Sequence, residues 1–153
     1  MRGHYNNTLN SHLRGKLGEI VVSNFLRESG FSTEDSFKDL SKMAEADIVI
    51  PGRCRIEVKT WSDEFWPTMG RCIAIDQLTK LEGKADLIIW CVSDSHLKPE
   101  MTLRVVGWNL VSDIPRAPQR LTGPPNGRKV NNYQLDNSML REIDELLEFL
   151  RHQ

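Results

Sequence analysis

Residues 47–60 read DIVIPGRCRIEVKT, and this stretch decides the fold. Residues 47–50 form a short apolar run, and residues 54–60 alternate with a period of two, as half-buried strands do. Pro51-Gly52 lies between them and is a turn signal. The stretch therefore predicts two strands joined by a tight turn.

The second strand carries Glu57 and Lys59 on one face, because side chains two apart on a strand project in the same direction. Ile56 and Val58 then point into the core. The turn brings Asp47 back alongside Glu57. A two-residue loop would pair Asp47 with Ile56, so the geometry requires one extra loop residue or a bulge.

Two carboxylates beside a lysine suit the hydrolysis of a phosphodiester. That reaction needs a held water, a cation to offset the growing charge, and a group that steers or deprotonates the water. Magnesium prefers one or two carboxylates plus waters and phosphate oxygens. Asp47, Glu57 and Lys59 are the candidates for this chemistry.

A second Glu-x-Lys triplet, Glu82-Gly83-Lys84, has the same spacing. It lies at a predicted helix end beside a glycine, without a preceding strand or an aspartate at hairpin distance. We therefore expect it to take no part in the site.

The surrounding pattern predicts an α/β domain with a central mixed sheet flanked by helices. The sheet is built around the hairpin of residues 46–60 and a buried strand at 86–93. Two further short strands are expected at 71–75 and 102–106. The helices cover residues 11–29 and 76–83. The first helix has apolar residues at helical spacing, Leu17, Ile20, Val21, Phe25 and Leu26, and the second has Asp76 as its N-cap.

The last third of the chain predicts a loop and a helix. Residues 113–132 hold four prolines and two glycines, which indicates a long loop. Residues 138–151 form an amphipathic helix whose stripe is a piece of the core or a dimer seam. The loop has a local excess of basic side chains that would grip phosphates, namely Arg116, Arg120, Arg128 and Lys129.

Four segments together resemble the PD-(D/E)XK nucleases, within them the Holliday-junction resolvases and restriction-like endonucleases. They are residues 15–19 (GKLGE), 46–50 (ADIVI), 56–60 (IEVKT) and 75–78 (IDQL). The resemblance covers about residues 13–93 and rests on the order of the elements. Ala46 stands where the family has a proline.

The resemblance implies a restriction-endonuclease-like core and a role for each matching residue. Asp47 and Glu57 would ligate Mg²⁺, for which Mn²⁺ would substitute, and Lys59 would orient or activate the attacking water. Glu19 would assist at the metal or a bound water, and Gln77 would position the lysine or a phosphate. The products would carry 5′-phosphate and 3′-hydroxyl ends.

Composition sets the broad class. With 153 residues the chain fits a single domain, and its net charge of −1 argues against a protein that coats nucleic acid through overall charge. No apolar run approaches the ~18 residues needed to cross a bilayer, so we expect a cytoplasmic protein without a membrane partner. The net charge does not exclude a local basic face, and Arg14, Lys16 and Arg71 are candidate DNA contacts. Two interpretations of the aromatic segment stay open: it closes over the site and stacks on nucleotides, or it only caps the sheet. Its residues are Trp61, Phe65 and Trp66, with Met69 and Arg71 beside them.

Two kinds of DNA target stay open, a site-specific duplex, as in restriction or homing endonucleases, and a branched junction. The alternative from another class is a catalytically inactive DNA-binding or interaction module on the same fold. A homodimer is expected, because one such site cuts one strand and a duplex presents two. The candidate seams are the 138–151 stripe and the aromatic segment around Trp61 and Trp66.

Overall fold

A five-stranded mixed sheet forms the centre of the computed structural model, which describes residues 2–35, 46–96 and 99–153. The helices are α1 (Arg2–Glu28), α2 (Ile75–Lys84) and α3 (Ile143–Arg151). The strands are β1 (Glu34–Asp35), β2 (Ile48–Ile50), β3 (Cys54–Ser62), β4 (Cys72–Ala74), β5 (Leu87–Ser93), β6 (Leu103–Leu110), β7 (Gln119–Thr122) and β8 (Val130–Gln134). Short 3₁₀ segments cover Val111–Arg116 and Asn137–Met139.

The central sheet has the strand order β1-β2-β3-β5-β6. β3 and β5 run parallel, and the other neighbours are antiparallel. β5 is buried along its whole length, as expected for a strand covered on both faces. The prediction of an α/β domain with a central mixed sheet flanked by helices is confirmed.

The β2–β3 hairpin has the extra loop residue that the sequence required. Its turn contains three residues, Pro51 to Arg53, and Gly52 adopts a φ of 72°, which glycine reaches without strain. Ile48 therefore pairs with Ile56, and the same register sets Asp47 opposite Glu57.

The two faces of the central sheet pack against different elements and form two separate hydrophobic cores. On one face, α1 and α3 cover the side chains of Ile48, Ile56 and Leu87. On the other, α2 and the second sheet cover Ile88 and Trp90. Because Glu57 and Lys59 alternate with Ile56 and Val58 along β3, their side chains belong to the face that α2 covers.

Helix α1 approaches β3 closely at Gly18. A Cβ on this glycine would lie 1.9 Å from Oγ1 of Thr60, so a larger residue requires the strand to shift. The buried face of α1 is formed by Val22 and Leu26, whereas Leu17 and Ile20 are exposed. The predicted apolar stripe was therefore wrong at its first two positions, because the helix contacts the sheet through the glycine.

Helix α2 begins one residue earlier than predicted, and Asp76 is not its N-cap. The N-cap is Ala74, which offers no side-chain hydrogen bond. Asp76 lies in the first turn instead, where a negative charge still interacts favourably with the helix dipole.

The prediction of a long loop over residues 113–132 was wrong. β7 and β8 pair as an antiparallel hairpin and join β4 in a second, three-stranded sheet. The breakers fall outside the strands: Pro115 lies in the 3₁₀ segment, and Gly123 to Gly127 form the hairpin tip. Composition averaged over the segment hid two short strands.

The predicted helix over 138–151 is shorter in the structure, because a 3₁₀ turn ends at Met139 and α3 begins only at Ile143. Leu146 and Leu150 on its stripe are fully buried in the protein's own core. The stripe is therefore a core element, and its use as a dimer seam is not supported. Among the described residues no helix is long and apolar enough to cross a lipid bilayer.

Candidate active site

The hairpin register sets two carboxylates side by side, and a third comes close to one of them from α1. Asp47 precedes β2, and its Oδ2 accepts a hydrogen bond of 2.8 Å from the backbone N–H of Val58 on β3. This contact fixes Asp47 beside Glu57, and the two carboxyls interact. Glu19 comes from α1, is buried, and also interacts with Asp47.

Glu57 is 4% exposed, and its environment opposes ionisation. Burial raises its pKa to about 7, and the adjacent Asp47 acts in the same direction. Within the described residues its Oε1 has no hydrogen-bond partner. When Glu57 and Asp47 are both ionised, this buried oxygen is left unsatisfied, which is unfavourable. The carboxyls of Glu57 and Asp47 can hydrogen-bond only when one of them carries a proton.

Asp47 is affected by the same environment. Burial raises its pKa above the ordinary value, and the nearby Glu19 adds to the rise. The hydrogen bonds with Glu57 and from Val58 oppose this shift without cancelling it. Like charges held close in a low-dielectric site favour the uptake of a proton or a cation.

Glu57 and Lys59 lie together on a cleft of about 900 Å³. Lys59 is half-buried and lowers the pKa of Glu57 by its charge, against the larger effect of burial. The predicted common face of these two residues is therefore present. The side chains that line the cleft are Asn10, Ser11, Arg14, Glu57, Lys59, Thr60, Trp61, Ser62, Glu64, Phe65, Cys72, Ile73, Ala74, Gln77, Lys80, Leu81, Gly83, Lys84 and Ser95.

Lys84 was expected to lie outside the site, and this expectation was wrong. Its Nζ lies 2.7 Å from Oε2 of Glu57, with 32% of the lysine side chain exposed. Burial acts to lower the pKa of Lys84, but the carboxylates of Glu57, Asp47 and Glu19 together raise it. Lys84 ends α2, and the packing of that helix on the sheet brings its last turn to the strand carboxylate.

Gln77 lies on the first turn of α2, is exposed, and lines the same cleft as Glu57 and Lys59. Glu19 and Asp47 do not line the cleft. They affect the site electrostatically, Asp47 through Glu57 and Lys84 and Glu19 through Asp47 and Lys84. The five residues predicted as catalytic, Glu19, Asp47, Glu57, Lys59 and Gln77, thus belong to one neighbourhood.

The predicted DNA contacts near the cleft are engaged in different ways. Arg14 lines the cleft, but its Nε donates to Oγ of Ser93 at 2.7 Å, and its guanidinium also binds the carbonyl of Ser95. Lys16 is exposed and lies 3.4 Å from Glu19. The role of both residues in binding DNA stays a prediction.

Arg71, which was also a predicted DNA contact, is buried, and its hydrogen bonds are to backbone carbonyls of the protein itself. Its Nε donates to the carbonyl of Leu135 at 2.9 Å, and its Nη1 donates to that of Trp66 at 3.1 Å. Its guanidinium also lies over the ring of Trp66, 4.8 Å from the centroid. These contacts tie the aromatic turn to the second sheet.

The four basic residues of segment 113–132 lie away from the cleft lining. Arg116 ends the 3₁₀ segment, Arg120 is on β7, and Arg128 and Lys129 are at the tip of the hairpin. Arg120 donates to the carbonyl of Thr68 and to Gln134, and Lys129 donates to the carbonyl of Gly123. All four are exposed, and their contact with DNA stays a prediction.

Asp47 and Glu57 fit a divalent cation in their chemistry. Both are oxygen donors with raised pKa values, and Glu57 has a buried oxygen without a partner. Across the described ranges no group of three or more His, Cys, Asp or Glu side chains forms a ready-made metal site. A magnesium ion needs only one or two carboxylates when waters and phosphate oxygens complete its shell.

Sequence inspection missed Lys80 and misjudged Lys84. A usable signal was present, because Gln77, Lys80 and Lys84 are spaced i, i+3 and i+7 and so share one face of a helix. Because Gln77 was itself a predicted site residue, this spacing could have placed Lys84 on the same helix face, although not in contact with Glu57. Comparison with known proteins adds nothing to the site: no protein-family model, curated protein or solved structure matches the chain.

Proposed function

We propose that this protein is a magnesium-dependent DNA endonuclease on a restriction-endonuclease-like core. The observation that carries the proposal is the pairing of Asp47 with buried Glu57 across the hairpin, with Lys59 beside them on the cleft. Holding two carboxylates together in this way costs stability, and such costs are typical of functional sites.

The chain's own residues have distinct tasks in this proposal. Asp47 and Glu57 would hold Mg²⁺, which when bound offsets charge on the phosphate and favours ionisation of water. Lys59 is placed to orient the attacking water or to neutralise the phosphate. The carboxylate of Glu57 is kept in place by Lys84, and that of Asp47 by the backbone N–H of Val58.

A cleavage assay with a choice of cations tests the proposal. Supercoiled plasmid and labelled duplex, branched and single-stranded DNA are incubated with Mg²⁺, Mn²⁺, Ca²⁺ or EDTA. We expect cleavage in Mg²⁺ and Mn²⁺, and binding without cleavage in Ca²⁺. In EDTA we expect no product, and the part of the binding that depends on the metal should be lost. Products should be ligatable, as 5′-phosphate and 3′-hydroxyl ends are.

The alternative is a DNA-binding or interaction module without catalysis. The ion pair of Lys84 with Glu57 favours it, because a lysine already neutralises one of the two carboxylates. Such a module would bind DNA equally well in Mg²⁺ and EDTA and would cut none of the substrates. Cleavage by the wild type that disappears in EDTA excludes it.

A homodimer also remains part of the proposal, since two strands need two sites. With the α3 stripe buried, the exposed apolar residues of α1 are the better seam. Leu13, Leu17 and Ile20 are spaced i, i+4 and i+7, and each is more than a third exposed. Light scattering should give a dimer that Leu17→Asp converts to a monomer, whereas a monomeric wild type with and without DNA would refute the symmetric arrangement.

A further inference from the structure

The cleft that holds Glu57 and Lys59 combines positive charge with an exposed aromatic ring. Its charged lining consists of Arg14, Lys59, Lys80 and Lys84 against Glu57 and Glu64. The cations outnumber the carboxylates although the whole chain has a charge of −1. Positive charge concentrated in a concave surface favours a polyanion.

Phe65 supplies the aromatic ring. It lies in the turn of residues 63–70, lines the cleft and is 46% exposed. The other large hydrophobic residues with comparable exposure in the described ranges are aliphatic or Met69, and they lie outside the cleft lining. Among the described residues, this cleft is therefore where a highly exposed aromatic ring lies beside a cationic surface.

The turn that carries Phe65 is held in place from several directions. The carbonyl of Phe65 accepts hydrogen bonds from the backbone N–H groups of Met69 and Gly70, at 2.8 and 2.9 Å. From the second sheet, Gln134 Nε2 donates to the carbonyl of Gly70 at 2.8 Å, and Arg120 donates to that of Thr68. The backbone that carries the ring is therefore fixed, which lowers the entropic cost of presenting the ring to a ligand.

Another part of the cleft is one face of α2. Gln77 and Lys80 are exposed on this face, and Lys84 completes it by its ion pair with Glu57. The first two side chains are therefore available for phosphates, whereas Lys84 serves the carboxylate.

Stacking and size together select the form of nucleic acid. A base in an intact duplex is stacked on both faces by its neighbours, so a protein ring stacks only on a base that is unpaired or extruded. Clefts of roughly 300–1,000 Å³ accommodate ligands of small-molecule size. A cleft of about 900 Å³ accordingly takes a few nucleotides of one strand rather than a duplex.

We propose that this cleft binds an unpaired nucleic-acid strand, with a base stacked on Phe65 and its phosphates along Gln77 and Lys80. The inference rests on the proposed function only in that the same cleft brings the strand to Glu57 and Lys59. Among the two targets left open, it selects branched or frayed DNA, in which nucleotides near the cut are unpaired.

Binding is measured by fluorescence anisotropy in EDTA, so that the result does not depend on catalysis. The probes are a labelled ten-nucleotide DNA strand, the RNA strand of the same sequence, and the corresponding fully paired DNA duplex. We expect the single strand to bind at least about tenfold more tightly than the duplex, because only its bases offer a free face. The DNA and RNA probes distinguish which sugar the cleft accepts.

Phe65→Ala should weaken single-strand binding by about 5- to 150-fold, the range for losing one base stack. Phe65→Trp should retain the affinity. The matched control is Leu121→Ala, which removes a side chain 63% exposed on β7, outside the cleft lining, and should change nothing. Lys80→Ala should reduce the log-log salt slope by about 0.7.

Two results would overturn the inference: a duplex that binds as tightly as the single strand, or Phe65→Ala with unchanged affinity for the single strand in a folded protein. Its failure is distinguishable from failure of the proposed function. Tight Phe65-dependent binding without cleavage in Mg²⁺ refutes the nuclease alone, whereas Mg²⁺-dependent cleavage that Phe65→Ala leaves unchanged, together with equal binding of duplex and single strand, refutes the strand inference alone.

Discussion

The chain contains two Glu-x-Lys triplets of identical spacing, and their side chains are arranged differently around the cleft. In residues 57–59 both charged side chains come from β3 and line the cleft. In residues 82–84 only the lysine does so, because Glu82 is exposed on α2 outside the lining. Lys84 then pairs with Glu57, the glutamate of the other triplet.

The difference shows that the secondary structure, and not the spacing, determines which side chains meet. Residues two apart on a strand share a face, whereas residues two apart on a helix point about 200° apart. Lys84 therefore separates from Glu82 and reaches a carboxylate on a neighbouring strand. Two lysines from different elements converge on Glu57.

The largest expected effect separates the two glutamates. Glu57→Gln should lower the rate of cleavage by at least about 10³-fold, because it removes an anionic oxygen from the proposed metal site. Glu82→Gln, which makes the same chemical change on the exposed side of α2, should leave the rate within twofold of wild type. Single-turnover cleavage in Mg²⁺ measures both, and equal rates for the two variants would contradict the assignment.

A smaller contrast is expected between the two lysines. Lys59→Ala should lower the rate by about 10²- to 10⁴-fold, as expected for a residue that acts directly on the reacting water or phosphate. Lys84→Ala should lower it by only about tenfold at pH 7, since losing its charge raises the pKa of Glu57 further.

The pH dependence tests whether Lys84 acts as a positioning residue. Its loss should matter less at pH 9, where Glu57 ionises in any case, and Lys84→Arg should restore most of the rate. A pH-independent loss in Lys84→Ala would show that the lysine does not act through Glu57. For Lys59→Ala we expect the loss to persist at both pH values.

The smallest effect concerns stability. The folded state holds the proton of Glu57 up to about pH 7, against an ordinary value of 4.5. This contribution to stability is fully present below pH 4.5 and is lost as the pH rises through 7. Glu57→Gln should therefore match wild type at pH 4.5 and melt several degrees higher at pH 8, whereas Glu82→Gln should follow wild type throughout. Calorimetry at both pH values decides this.

The sequence predicted the hairpin well and the last third of the chain poorly, for physical reasons. Period-two alternation and a Pro-Gly turn are local signals, and they were sufficient to predict Asp47 opposite Glu57 once the loop length was considered. The β7–β8 hairpin has short, largely polar strands, so it lacked an apolar pattern. The convergence of Lys84 on Glu57 depends on how α2 packs on the sheet, which no local pattern encodes.

We propose that Asp47, Glu57 and Lys59 form a magnesium-dependent centre that cuts DNA. The decisive test is cleavage of a labelled forked DNA with an unpaired arm, by wild type and by Asp47→Ala, in Mg²⁺ and in EDTA. We expect product only for wild type in Mg²⁺, with Asp47→Ala still folded. Cleavage in EDTA, cleavage by Asp47→Ala at the wild-type rate, or no cleavage by wild type under any of these conditions would contradict it.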